Sequence, residues 1–174
     1  MIEPWTQTYN KIKFDFINPT TDMINIGDIS QGLAMQCRFS GQCKEFYSIA
    51  EHCVNASILA KPGDKLHALL HDASEAYISD IVKPLKEQLP AYKLIEDKIQ
   101  TVIFKRYRVY PKNSKERVKA IDHRLLHYEA TNLLQFPAVD DWIEITHIDN
   151  LEIKCLPPQE ARIAFLRQFY TLAY

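Results

Sequence analysis

The sequence predicts a mainly α protein with a short irregular or β segment at its N-terminus. Three observations carry this. Apolar residues recur every three or four positions in most of the chain after Asn25, the period of a helix with one buried face. Helix start signals precede several of those runs. Only four glycines occur in 174 residues, too few for the tight turns of a barrel or sandwich.

The elements follow in order. KIKFDFI, from Lys11, alternates charged and apolar residues as a half-buried strand does, and Asn18-Pro19 ends it as a turn. From Asn25, the apolar residues Ile26, Ile29, Leu33 and Cys37 fall at helical spacing. Ser48 and Glu51 match a capping box, in which the serine accepts from a backbone N–H and the glutamate reaches back. The helix it opens runs to about Leu59 and closes at Pro62-Gly63. Asp64 is placed to cap a further helix through Leu66, Leu69, Leu70, Ala73 and Tyr77. A polar stretch from Ser79 leads to Pro90, which suits the first turn of a helix carrying Tyr92, Ile95, Ile99, Val102 and Ile103 on one face. Ser114 is placed to cap a helix with Val118, Ile121, Leu125 and Leu126, ending near Leu134. WIEITHI, from Trp142, alternates again as a short strand or extended loop. Pro157-Pro158 opens a last helix whose Ala161, Phe165, Phe169 and Leu172 fit either a core or an interface. No repeat or linker interrupts the chain, so one domain is expected: an extension over 1–24, a core over 25–134, and a loop and helix over 135–174.

Composition narrows the function. Twenty-one basic against 22 acidic residues give a net charge of −1, which argues against a coat for nucleic acid or membrane. No apolar run approaches the roughly 20 residues that cross a bilayer, and the first residues show no secretory signal, so a cytoplasmic protein is expected. Cys37, Cys43, Cys53 and Cys155 form no C-x-x-C pair and read as small reduced core residues. Lys105 to Lys119 holds seven of the basic residues and reads as a solvated helix end and loop rather than a nucleic-acid surface.

Chemistry concentrates in HALLHDASEAY, where His71, Asp72 and Glu75 interrupt an otherwise apolar helix. Buried ionisable groups must be paired or bind something. His52 sits among apolar neighbours in its own helix, and Asp122 lies beside the apolar face of another. Two imidazoles and two carboxylates from three helices can surround one divalent cation: Zn, Co, Fe, Ni or Mn rather than Ca, with Mg also allowed by the carboxylates. Taken singly, His52 fits a hydrogen-bonded core histidine and Asp122 a surface carboxylate. His67, His123, His127 and His147 carry no signal beyond structure.

An arginine-aromatic pair (Arg38, Phe39), then Y-S-x-A-x-H from Tyr47, H-D-A-x-E-A-Y from His71, D-x-x-x-P-x-K from Asp80, and a later lone Asp122, together resemble the HD-domain phosphohydrolase superfamily. The resemblance runs from about Phe14 to Leu134. It is nearest to the group holding bacterial deoxynucleoside 5'-nucleotidases of the YfbR type and phage dATP triphosphohydrolases of the DatZ type. It implies an HD-domain helical bundle and one divalent metal on His52, His71, Asp72 and Asp122. It further implies a catalytic carboxylate at Glu75, phosphate contact by Arg38, nucleoside contact by Phe39, and a substrate-bordering loop with Asp80 and Lys83 or Lys86. The implied reaction is hydrolysis at the α-phosphorus of a deoxynucleotide, yielding deoxynucleoside and phosphate or polyphosphate, in a homo-oligomer of a bacterial or phage-infected cytosol. Phe39 stands where the bacterial nucleotidases carry Trp. The compact size and the N-terminal half look most like the phage group, a resemblance that implies triphosphates, with monophosphates the alternative; a non-catalytic metal- or nucleotide-binding module and a purely structural helical protein are the readings from other classes.

Overall fold

A computed structural model describes residues 3–135 and 142–173; part of the expected loop after residue 135 lies outside them. Eight α-helices and two strands are assigned among these residues. Strands β1 (Trp5–Gln7) and β2 (Lys13–Asp15) pair antiparallel, with Trp5 opposite Asp15. The alternation read in β2 is real: Phe14 is fully buried between exposed Lys13 and half-buried Asp15, and its ring stacks on Tyr77 at 4.1 Å.

Helix α1 (Ile26–Ala34) begins at Asn25, whose side chain accepts from Gly27 N at 2.7 Å. Helix α2 (Ile49–Leu59) begins at Ser48, and half of the expected capping box is present: Ser48 Oγ accepts from Glu51 N at 3.1 Å. The reciprocal half is absent. The buried Glu51 carboxylate instead accepts from Lys154 N (2.7 Å) and Leu156 N (2.8 Å), satisfying two amides of the irregular chain that leads into the last helix.

The helix expected from Asp64 to Tyr77 is broken. Helix α3 (Lys65–Leu69) stops one residue before Leu70, residues 70–74 form a turn, and α4 (Glu75–Ile78) resumes. Asp64 does not cap α3; its carboxylate takes two donors from Arg117, at 2.6 and 2.8 Å. Gln100, from across the core, satisfies the break by donating to Leu70 O at 2.7 Å and accepting from Ser74 N at 3.0 Å. A sequence-local reading carries no trace of this, because the compensating groups arrive from 26 to 30 residues away.

Short α5 (Lys83–Lys86) precedes α6 (Pro90–Arg106), which starts at proline as expected and buries Ile99 and Ile103. Helix α7 (Lys115–Leu133) follows Ser114, whose hydroxyl does not cap it but pairs with His67 Nδ1 at 2.7 Å. WIEITHI contains no strand: residues 142–148 are irregular, held by Arg124 donating to His147 O and by Glu144 N donating to His127 Nδ1. Helix α8 (Pro158–Ala173) buries Ala161, Phe165 and Phe169, so its apolar stripe is core. No disulfide forms, but of the four cysteines only Cys53 is buried; Cys37, Cys43 and Cys155 are half-buried.

Helix α2 is the hub, packing on α1, α3, α7 and α8. One of its faces joins the main core of Ile29, Leu33, Leu69, Ile103 and Phe165, and another joins a smaller cluster of Ala56, Val118, Leu125 and Ile148. Between these two cores, α2 and α7 face the turn at residues 70–74.

Candidate metal centre

The four proposed ligands converge. His52 comes from α2, Asp122 from α7, and His71 and Asp72 from the turn between α3 and α4, so two helices and a turn build the site rather than three helices. The break explains how two consecutive residues serve one point: in an unbroken helix their side chains would diverge by about 100°.

One ligand atom from each residue lies within 4.8 Å of every other. His52 Nε2 is 3.2 Å from Asp122 Oδ1, 3.6 Å from Asp72 Oδ2 and 3.3 Å from His71 Nε2; His71 Nε2 is 3.2 Å from Asp72 Oδ2 and 3.7 Å from Asp122 Oδ1. Donors about 2.1 Å from a common ion stand about 3.0 Å apart at right angles and about 3.4 Å apart at the tetrahedral angle. The observed spacings fall around these values.

The hydrogen bonding behind the cluster also fits a cation. His52 Nδ1 lies 2.8 Å from Glu129 Oε1, and His71 Nδ1 lies 2.8 Å from Ala68 O. Neither a carboxylate nor a carbonyl can donate, so each Nδ1 carries the proton, and each neutral ring turns the Nε2 lone pair toward the cluster. Two lone pairs then face each other at 3.3 Å beside two carboxylate oxygens, an arrangement that needs a positive centre. Without an ion, protons must serve. Burial opposes charging His71, yet Asp72 and Asp122 hold its pKa well above the usual imidazole value. Burial and Arg38 oppose charging His52, but Glu129 and Asp122 still raise it. Burial likewise opposes ionising Asp122, but hydrogen bonds from both imidazoles keep it well below the usual carboxylate range. His52 is sealed from solvent, whereas the Asp122 side chain is 39% exposed, so the cluster opens on the Asp122 side.

Arg38 and Glu75 border this centre. Arg38 is buried; its Nη1 is 3.9 Å from Asp72 Oδ2, and its Nε is 3.0 Å from Glu129 Oε2, close as an ion pair but not aligned as a hydrogen bond. Phe39 follows in a left-handed turn with Ser40 (φ 53° and 52°), conformations that side chains disfavour and that cluster at functional sites. The turn sets the Phe39 ring 5.5 Å from the Arg38 guanidinium carbon. Glu75 is buried with Oε2 unpartnered, while Oε1 accepts from Lys86 Nζ at 3.3 Å. Burial above all, then Asp72 and Asp80, push its pKa well up.

Lys86 also donates to Glu96 at 2.7 Å, whereas Lys83 is exposed on α5. Asp80 is half-buried, and its N–H donates to Gln36 Oε1 at 3.0 Å. Gln36 Nε2 donates in turn to Gly32 O and Glu75 O, tying the Glu75 backbone to α1. His67, buried against Ser114, and the neighbouring rings of exposed His123 and half-buried His127 stand outside the cluster. The reading of the sequence missed Gln36, Gln100 and Glu129. Of these only Glu129 left a mark: it lies seven residues after Asp122, two turns along the same face of α7.

No family model matches the chain. It is 42% identical over 105 residues to the uncharacterized protein YfdR of Escherichia coli K12, a match covering 60% of this chain and 59% of YfdR. Over an alignment of 190 residues it is 30% identical to the uncharacterized protein RCAP_rcc00048 of Rhodobacter capsulatus, covering 99% of this chain and 97% of that protein. The chain belongs to the RCAP_rcc00048 family. No helix among the described residues is long and apolar enough to cross a membrane.

Proposed function

We propose that the chain is a metal-dependent phosphohydrolase of the HD-domain kind, acting on the α-phosphorus of deoxynucleotides, dATP and other triphosphates foremost. The observation that carries this reading is the convergence of His52, His71, Asp72 and Asp122 on one point with Arg38 and Glu75 at its border. The motif resemblance supports it, and the relatives' names add no substrate.

A divalent cation in that set would polarise a phosphoryl oxygen and acidify water. The chain's own groups supply the rest. Arg38 turns Nη1 toward Asp72 and so toward the cluster, and its planar fork of donors suits equatorial phosphoryl oxygens as they gain charge. Phe39, folded back beside Arg38, offers a face to the nucleoside. Water attacks the α-phosphorus and gives up a proton, the bond from phosphorus to O5' breaks, and O5' must collect a proton; a carboxyl that donates the one and takes up the other closes the balance. Glu75 suits that donation, because burial and two nearby carboxylates make it hold its proton tightly while Oε2 has no other partner. Lys86, braced by Glu96, keeps Glu75 in place and adds a cation beside the phosphates. Asp80, on the loop next to them, is within reach of the sugar in this reading.

The test is incubation of purified chain with mono- and triphosphates of all four deoxynucleosides, in cobalt, manganese, zinc or magnesium, with products resolved by chromatography. Release of deoxynucleoside supports the reading, and the co-product (phosphate or tripolyphosphate) assigns the phosphate number. No deoxynucleoside with any metal would falsify it.

A further inference from the structure

Glu129 is the most unusual residue of α7. Its side chain is fully buried, and a carboxylate left unpaired in such a place is strongly destabilising. Burial alone would raise its pKa, but Arg38 and His52 keep it below the usual range. Every group that touches it belongs to the site or braces it. Oε1 takes His52 Nδ1 at 2.8 Å and the Tyr47 hydroxyl at 2.7 Å; Tyr47 is itself fully buried and accepts from Asn55 Nδ2 at 2.9 Å. Oε2 lies 3.0 Å from Arg38 Nε. A packed hydrophobe would serve the core as well or better, so stability alone does not account for a carboxylate at this position.

We propose that Glu129 is the positioning carboxylate of this site, holding His52 with Nε2 presented to the cluster and docking the Nε end of Arg38. The first action uses Oε1. As an acceptor it fixes the proton on His52 Nδ1, and its charge makes the opposite nitrogen a stronger ligand. The second uses Oε2. By occupying the inner end of the guanidinium it leaves Nη1 directed at Asp72 and free for an anion. One rigid carboxylate on α7 thus sets the spacing between a metal ligand and an anion anchor. His71 has a different anchor, the Ala68 carbonyl, and provides an internal control.

The roles toward cation and phosphate rest on the hydrolase reading; the hold on His52 does not, and the test separates the two. Histidine-labelled full-length chain is followed by proton–nitrogen NMR, metal-free at alkaline pH and after addition of zinc, and cobalt affinity is measured by calorimetry for wild type and Glu129→Gln. The expected wild-type signature is a His52 ring protonated on Nδ1. In the variant the His52 ring signals move while those of His71 stay, and cobalt binds about 10–100-fold more weakly. Where deoxynucleotide is hydrolysed, KM rises and kcat falls together, because Arg38 loosens with His52. Should Glu129→Gln not fold, Glu129→Asp, which withdraws the carboxylate by one methylene, gives the same readouts.

A wild-type His52 protonated on Nε2 overturns the proposal, as does a variant that only melts earlier with His52 signals and cobalt affinity unchanged. A wild type that binds no metal or cleaves no nucleotide removes the hydrolase reading, and the metal-free ring signals still decide the role of Glu129.

Discussion

Gly32 is where α1 presses on α4, and replacing it with alanine perturbs the site without touching a ligand. A Cβ at that position would lie 2.6 Å from Ala76 O and 2.9 Å from Ala76 Cα. These are backbone atoms, so no side chain can swing aside. Restoring ordinary contact at 3.4 Å requires the seam to open by about 0.8 Å. Overpacking of this kind costs about 1–3 kcal/mol, the upper part of that range applying to a backbone clash. Alanine returns about 1 kcal/mol through helix propensity, leaving a net loss of about 1–2 kcal/mol. For a chain of this length that lowers Tm by roughly 2–8 °C. On the proposed hydrolase reading the functional effect is larger, because Ala76 follows Glu75 directly and Gln36 bridges Gly32 O to Glu75 O across the same seam. A displacement near 1 Å at a reacting group costs up to about 100-fold in rate. Gly32→Ala is therefore expected to cut kcat by about 10–100-fold while cobalt affinity changes little, read by calorimetric melting, nucleoside release and metal titration. An alanine variant as stable and as fast as wild type would refute the reasoning about this seam.

Two further outcomes follow from the same geometry. Glu75→Gln keeps the shape of the side chain but cannot deliver a proton, so nucleoside release should fall by about 10²–10⁴-fold with cobalt stoichiometry unchanged; loss of metal instead would make Glu75 a ligand. The stabilisation that cobalt confers should grow with pH: in the metal-free chain the raised imidazole values of His52 and His71 contribute stability below the ordinary imidazole range and lose it as pH rises through the raised values. Metal needs those rings neutral, so apparent affinity should climb by up to about tenfold per pH unit for each proton displaced, and a difference in Tm between loaded and metal-free chain that stays flat from about pH 6 to 8 would contradict this.

How much of this was legible in the sequence depended on where each cause lies. Helices α6 and α8 were readable because a starting proline and a stripe such as Ala161, Phe165 and Phe169 are local signals that tertiary packing only reinforces. The break after Leu69 was not, since hydrophobic periodicity continues through Leu70 and Ala73 and the groups that permit the break sit on Gln100. Glu51 and Ser114 matched capping patterns, yet each found a stronger claim elsewhere: two unpaired amides near Cys155, and the His67 ring. WIEITHI alternates as a strand does, but no neighbouring strand lies alongside it among the described residues. At the site, His52, His71, Asp72 and Asp122 stood out as ionisable groups in apolar surroundings. Glu129 left only its spacing from Asp122, because Glu in a helix is ordinary until its burial is seen.

The most direct test of the metal centre is titration of metal-free chain with cobalt, followed by visible absorption and elemental analysis, for wild type, His52→Ala and Asp122→Ala. One ion per chain in wild type, with binding lost or strongly weakened in both variants, is the expected result. No stoichiometric ion in wild type, or binding indifferent to both substitutions, would contradict a single cation gripped by these four side chains.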